Sequence, residues 1–251
     1  MTPLQQTAPF PGGVGITRLR VYDWEDSNGV CGGSPHMHTA STEAYFVLAG
    51  TGHVETIRST GYETYDLAPN DVLWFSPGTI HRLVNHDNLE ILAIMQNGGL
   101  PEAGDAVLTF EEDVVGDPNQ YARAAALSSD PSASLPDAAR ARRDAALAGY
   151  ERLKAAALAG DQQAVERFQQ DAVRLVQGRV PTWQALWTET IAPESARTGT
   201  WLRDLANGNF GHFREATVSR ADPMGAEGIF GMCGMLQKWD TTYLPGATRQ
   251  R

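Results

Sequence analysis

Cysteine is scarce in this chain. Cys31 and Cys233 are the only two among 251 residues, and no Cys-x-x-Cys pair exists. That excludes a zinc ribbon and a thioredoxin-type redox motif. Two free thiols in a reducing compartment are the expectation. Long apolar runs are also missing. No stretch of 18 apolar residues occurs, so no transmembrane helix is expected. The opening MTPLQQTAPFPGG has neither a basic segment nor an apolar one, so it does not read as a signal peptide, and a cytoplasmic location is expected. Basic residues are few where the chain begins: residues 1–115 hold 4 against 15 acidic ones, and residues 116–251 hold 16 against 15. The net charge of −10 thus belongs to the first part, which argues against nucleic acid and anionic membranes as partners.

The same point near residue 115 divides two textures. Before it lie short strand-like runs. EAYFVL (43–48) ends at the turn-like Gly50-Thr51-Gly52, Val54–Ile57 alternates, and Val72–Phe75 and Ile91–Met95 are apolar. Strands at this spacing suggest an all-β barrel or sandwich. After it, Asp130–Ser134 reads as a loop. Helical periodicity follows over 138–159, then over a second segment capped by Asp161, a third opening at Pro181, and a fourth near 194–205. Residues 207–251 are Gly-rich and carry no clear pattern. Residues 1–115 are therefore expected to form the β domain, and 116–251 a mainly helical extension that packs on the barrel, covers its pocket or meets a second subunit. A homodimer is the expected assembly.

Three histidines and a glutamate carry the chemistry. His36 and His38 are two apart, Glu43 follows, and His81 comes later with Asn85 behind it. Residues i and i+2 of a strand share a face, so His36 and His38 point the same way, as do Glu43 and Tyr45. Imidazole and carboxylate are donors that first-row divalent metals accept. Three imidazoles and one carboxylate suit Fe(II), Mn(II), Ni(II), Cu(II), Co(II) or Zn(II), and leave up to two positions of an octahedron.

These residues resemble the two motifs of the cupin family. His36, His38, Glu43 and Gly50 match the first, G-x5-H-x-H-x3–4-E-x6-G, with Val30 in place of its leading glycine. Gly78, His81 and Asn85 match the second, G-x5-P-x-G-x2-H-x3-N, with Asn70 for the glycine and Ser76 for the proline. Asn70-Asp71 can turn much as Gly-Asp would. The resemblance implies a mainly β jelly-roll barrel with one metal inside, held by His36, His38, Glu43 and His81. It also suggests oxygen chemistry, which puts Fe(II) first and makes a dioxygenase acting on a small organic molecule the leading expectation. A non-redox lyase or isomerase and a non-catalytic small-ligand-binding protein are the alternatives. Tyr45 is the candidate catalytic acid or hydrogen-bond donor. Phe75, Asn85 and Gln96 are candidate substrate contacts, and Arg82 is expected to face the other way in a surface or interface salt bridge.

Overall fold

A computed structural model describes residues 10–127, 134–239 and 241. The strands are β1 (Gly15–Val21), β2 (His36–His38), β3 (Glu43–Arg58), β4 (Gly61–Leu67), β5 (Val72–Phe75), β6 (Ile80–Met95), β7 (Ala106–Leu108), β8 (Pro223–Phe230) and β9 (Gly234–Trp239). The helices are α1 (Glu112–Val115), α2 (Pro118–Ala125), α3 (Leu135–Leu158), α4 (Gln162–Val176), α5 (Val180–Thr190) and α6 (Ala192–Ala206). Most of the loop expected over 130–134 lies outside the described residues. Its last residue, Ser134, accepts a bond from Asp137 N and caps α3. Asp161 caps α4 as expected.

The strands form a jelly-roll built around β3 and β6, which run antiparallel along their whole length. The other edge of β3 takes β5 against residues 43–46 and β4 against residues 52–58. The other edge of β6 takes β2 at residues 80–81 and β1 at residues 90–95. Each long strand therefore serves two parts of the barrel, and it must bend between them. The glycines expected to end a strand at 50–52 instead bend it. Three register shifts fall between Val47 and Gly52, and Gly50 has φ +73°. A Cβ at Gly50 would collide with the carbonyl oxygens of Asp87 and Asn88, so only glycine lets β6 come this close. Asn70, standing where the family pattern has glycine, also takes a left-handed φ, +77°, which asparagine tolerates better than most side chains.

Strand parity separates two cores. Tyr45, Val47 and Val54 of β3 and Leu83, Ile91 and Ala93 of β6 pack inside the barrel. Met37, Ile57 and Ile80 face the other way, into a second core shared with Phe110, Tyr150, Leu153 and Phe168. The helical region thus covers the barrel's outer wall. Gly149 of α3 lies so close to Thr109 and Phe110 that a Cβ there would strike their backbone. Ile57, Ile80 and Tyr150 are fully buried at this junction, each contributing about 1.5–3 kcal/mol. Arg143 of α3, also fully buried, donates to the carbonyls of Trp24, Glu25 and Gly32.

The last segment, which carries no clear pattern in the sequence, contributes strands to a region expected to be mainly helical. β8 and β9 form a hairpin, and β9 pairs with β1. Arg82 is also corrected. It faces away from the interior as expected, but it is buried, not at a surface. It is paired with Asp26 at 2.8 Å and lies 3.7 Å from Glu55, because α3 roofs this part of the wall. Glu55, likewise buried, takes bonds from Lys154 at 2.6 Å and Tyr62 at 2.7 Å.

Burial opposes ionisation of Glu55, yet the bonds from Lys154 and Tyr62 and the charge of Arg82 hold its carboxyl below the ordinary range. A group depressed in this way stabilises the fold above the unfolded carboxylate's pKa, about 4.3, and that stability is lost as pH falls through the folded value. Lys154→Met is expected to cost about 1–2 kcal/mol in urea melts at neutral pH. It is also expected to show a smaller further loss than the parent between about pH 5 and pH 3. Equal acid sensitivity in the two proteins would remove Lys154 as a clamp on the barrel.

Candidate metal centre

β2 carries His36 and His38 on its inward face, β3 begins with Glu43, and β6 brings His81 directly opposite His36 in register. All four side chains are buried, and one donor atom from each lies within 4.8 Å of the others. His36 Nε2 is 3.1 Å from His81 Nε2. Glu43 Oε2 is 3.3 Å from His38 Nε2 and 3.2 Å from His81 Nε2, yet it has no well-formed hydrogen bond.

The far nitrogen of each ring is already engaged. His36 Nδ1 meets the Ser34 carbonyl at 3.0 Å, and His81 Nδ1 meets that of Thr79 at 3.1 Å. A carbonyl only accepts, so both rings carry a proton on Nδ1 and turn Nε2 inward. Burial keeps the His36 ring neutral, so its Nε2 offers a lone pair to the point where the four donors converge. Two cis donors with bonds of about 2.1 Å to one ion would lie about 3.0 Å apart, close to these separations. The donor set, the spacing and the orphaned carboxylate oxygen therefore fit a single ion.

His38 has a different partner. Its Nδ1 lies 3.3 Å from Asp105 Oδ2. Asp105 has no solvent exposure, and it also accepts from the backbone of Thr39 (2.9 Å), Ala40 (2.7 Å) and Ser41 (3.1 Å) and from the Thr39 hydroxyl (2.6 Å). One carboxylate thus orients a candidate ligand and also holds the loop that leads from His38 to Glu43. No motif flagged Asp105. Its role appears only when the chain returns after β6 and enters β7 beside β2.

The charges follow from this geometry. Burial and the neighbouring imidazoles push His36 well below the ordinary histidine range. Burial also opposes a charge on His38, but its bond to Asp105 and the adjacent Glu43 carboxylate prevail and push it up to about 9. Both carboxyls are held far below the usual range despite burial, Glu43 by His38 and His81, and Asp105 by His38 and Thr39. Two buried carboxylates thus flank the His38 proton. A divalent ion would replace that proton.

Residues 25–95, which contain all four donors, match the Cupin_2 family model, described as a cupin domain. This part of the chain is a cupin domain. No curated protein sequence matches the chain. Solved structures similar to it include a cupin protein from Bacteroides fragilis, at 22% identity over 34% of this chain and 65% of that one, with a TM-score of 0.26. An uncharacterized conserved protein with a double-stranded beta-helix domain from Klebsiella pneumoniae is 11% identical over 39% of this chain and 77% of that one, with a TM-score of 0.30. Oxalate decarboxylase from Bacillus subtilis is 17% identical over 45% of this chain and 28% of that one, with a TM-score of 0.35. The chain therefore spans less than two thirds of the first and third.

The other expected site residues are distributed unevenly around the cupin centre. Tyr45 is buried, its hydroxyl has no partner among the described residues, and its ring lies 6.4 Å from that of His81. Phe75 is half-buried and packs on His81 at 4.2 Å and on Tyr45 at 5.3 Å, while its neighbour Trp74 points out to solvent. Asn85 is a different case. Its amide donates to the Val21 and Tyr22 carbonyls and accepts from Leu89 N, so it ties the barrel's backbone together. Gln96 requires correction: inward parity on β6 falls on Met95, so Gln96 is exposed, and its amide accepts from Thr42 N. Cys233 was read only as a free thiol. The turn between β8 and β9 places it 3.7 Å from His36 Nδ1, behind the ring and off the donor side. Burial and the Glu43 charge keep it protonated.

A ligand role for His38 requires loss of its proton. Affinity for Co(II), read by calorimetry, is expected to rise with pH by up to about tenfold per unit and to level off near about 9, with about one proton released per ion at neutral pH. In Asp105→Asn the rise should level off at lower pH. A profile that is flat between about pH 6 and 8 would exclude His38 from the ligand set.

Proposed function

We propose that the protein is a mononuclear metal-dependent enzyme, an Fe(II) dioxygenase acting on a small organic molecule. One observation carries the reading. Three imidazole Nε2 atoms and a carboxylate oxygen converge at one buried point, with the opposite nitrogen of every ring held by a carbonyl or carboxylate. Bound there, the ion would supply Lewis acidity and, as iron, one-electron chemistry with O₂.

The chain's own residues suit such a reaction. Burial and the charge of Glu43 push the Tyr45 phenol well above its ordinary pKa, so it remains a neutral donor with a free proton. It can donate a hydrogen bond to an oxygen that gains negative charge in the substrate. Phe75 lies over His81 and Tyr45 and keeps water from them. Away from Glu43 and the three histidines, the barrel core around Tyr45 and Phe75 is apolar, which supports an uncharged or weakly polar substrate. A protonated phenol beside a Lewis acid would equally serve a non-redox lyase or isomerase, so oxygen dependence decides between the two.

Purified protein is expected to contain iron and to consume O₂ only when substrate is present. Zinc or nickel with turnover under argon would overturn the oxygenase in favour of the lyase or isomerase. His81→Ala should lose most of the metal, and full occupancy in that variant would refute the ligand set. Tyr45→Phe should retain metal while turnover falls by about 10²-fold or more. Unchanged kinetics would remove Tyr45 from the mechanism.

A further inference from the structure

α6 stands apart from both cores. None of its residues is buried, and its packing is against α5 and the turn at Pro11–Gly13. A 15-residue helix with so little support is marginal alone in water. Its surface is nevertheless apolar. Trp201, Leu202 and Leu205 project from it, and Phe210 and Phe213 follow in the next turn, all exposed. The aromatic groups are continuous. His212 stacks on Trp201 at 5.3 Å and meets Phe213 at 4.5 Å, and Phe213 meets Phe210 at 6.3 Å. Among the described residues nothing covers this face.

We propose that this aromatic face of α6 and the turn after it is where two copies of the chain associate, face to face about a two-fold axis. The proposal is independent of the enzymatic reading. Area supports it first. Trp201, Phe210 and Phe213 are 38%, 54% and 60% exposed, and Leu202 and Leu205 are 63% and 47% exposed. With aromatic side chains of roughly 150–250 Å², and leucines somewhat smaller, the five leave about 500 Å² of apolar surface in water. A standard interface buries about 800 Å² per partner, and a homodimer interface is about 65% apolar, which requires about 500 Å² from each copy. A contiguous apolar patch of this size is often functional.

Charge supports a second copy over another kind of partner. Residues 192–222 hold four arginines and four acidic residues, so this segment is neutral in a chain of net charge −10. Two copies can therefore meet here without the repulsion that the acidic first 115 residues would impose. A two-fold axis also lets acids of one copy face arginines of the other. No charge of one sign is present to select a nucleic acid or an anionic membrane.

The test is sedimentation velocity of the full chain from about 1 to 100 µM. The wild type should be a dimer. Leu202→Glu with Phe213→Glu should raise the dissociation constant by at least about 30-fold with an unchanged far-ultraviolet circular dichroism spectrum. Leu202→Glu alone, at the most exposed of the five positions, should shift it in the same direction if the double variant unfolds. Trp74→Glu, on the barrel wall and 68% exposed, should leave association unchanged. A monomeric wild type would overturn the proposal. So would a dimer that survives the α6 substitutions, or one that Trp74→Glu alone dissociates.

Discussion

The pairing of β3 with β6 is the constraint on which the rest depends. Side chains alternate along a strand with period two, so a one-residue slip would exchange the two faces of the barrel. In the observed register Thr56 faces His81, Val54 faces Leu83 and Tyr45 faces Ala93, all toward the interior. The intervening pair, Glu55 and Arg82, faces outward beneath α3. One register thus places a donor inside and an ion pair outside. The bulges near Gly50 shift the inward set of β3 from Tyr45 and Val47 to Val54 and Thr56, while β6 keeps its odd-numbered residues inward across the bend.

Around that frame the centre is electrostatically balanced by few groups. Two carboxylates lie in a space with little water, and each is tied to the same imidazole. Buried charges of one sign require a counter-charge, and the His38 proton or a divalent ion can supply it. The ring orientations need no charge at all. They follow from carbonyls only two residues away, Ser34 for His36 and Thr79 for His81, so the segment that leads into each strand also orients its ring.

The helical region is part of the barrel's wall. Arg143 and Gly149 illustrate two ways α3 is bound to it, one by hydrogen bonds to carbonyls in the loop before β2, the other by the absence of a side chain. The C-terminal hairpin then extends the sheet at β1 and brings Cys233 behind His36. α6 is the exception, and its exposed aromatics are what a face awaiting a partner would carry.

The sequence by itself determined the local matters. The spacing of His36, His38, Glu43 and His81, the inward parity of Tyr45, the cap at Asp161 and the turn at Asn70 all depend on neighbours in the chain, so period and composition reveal them. Tertiary structure alone decided the rest. Asp105, Cys233 and the burial of Arg82 depend on segments that meet only after the chain has folded back, and no local pattern records such meetings. Gln96 was misplaced for a related reason: alternation is plain, but which set faces inward is set by the partners across the sheet.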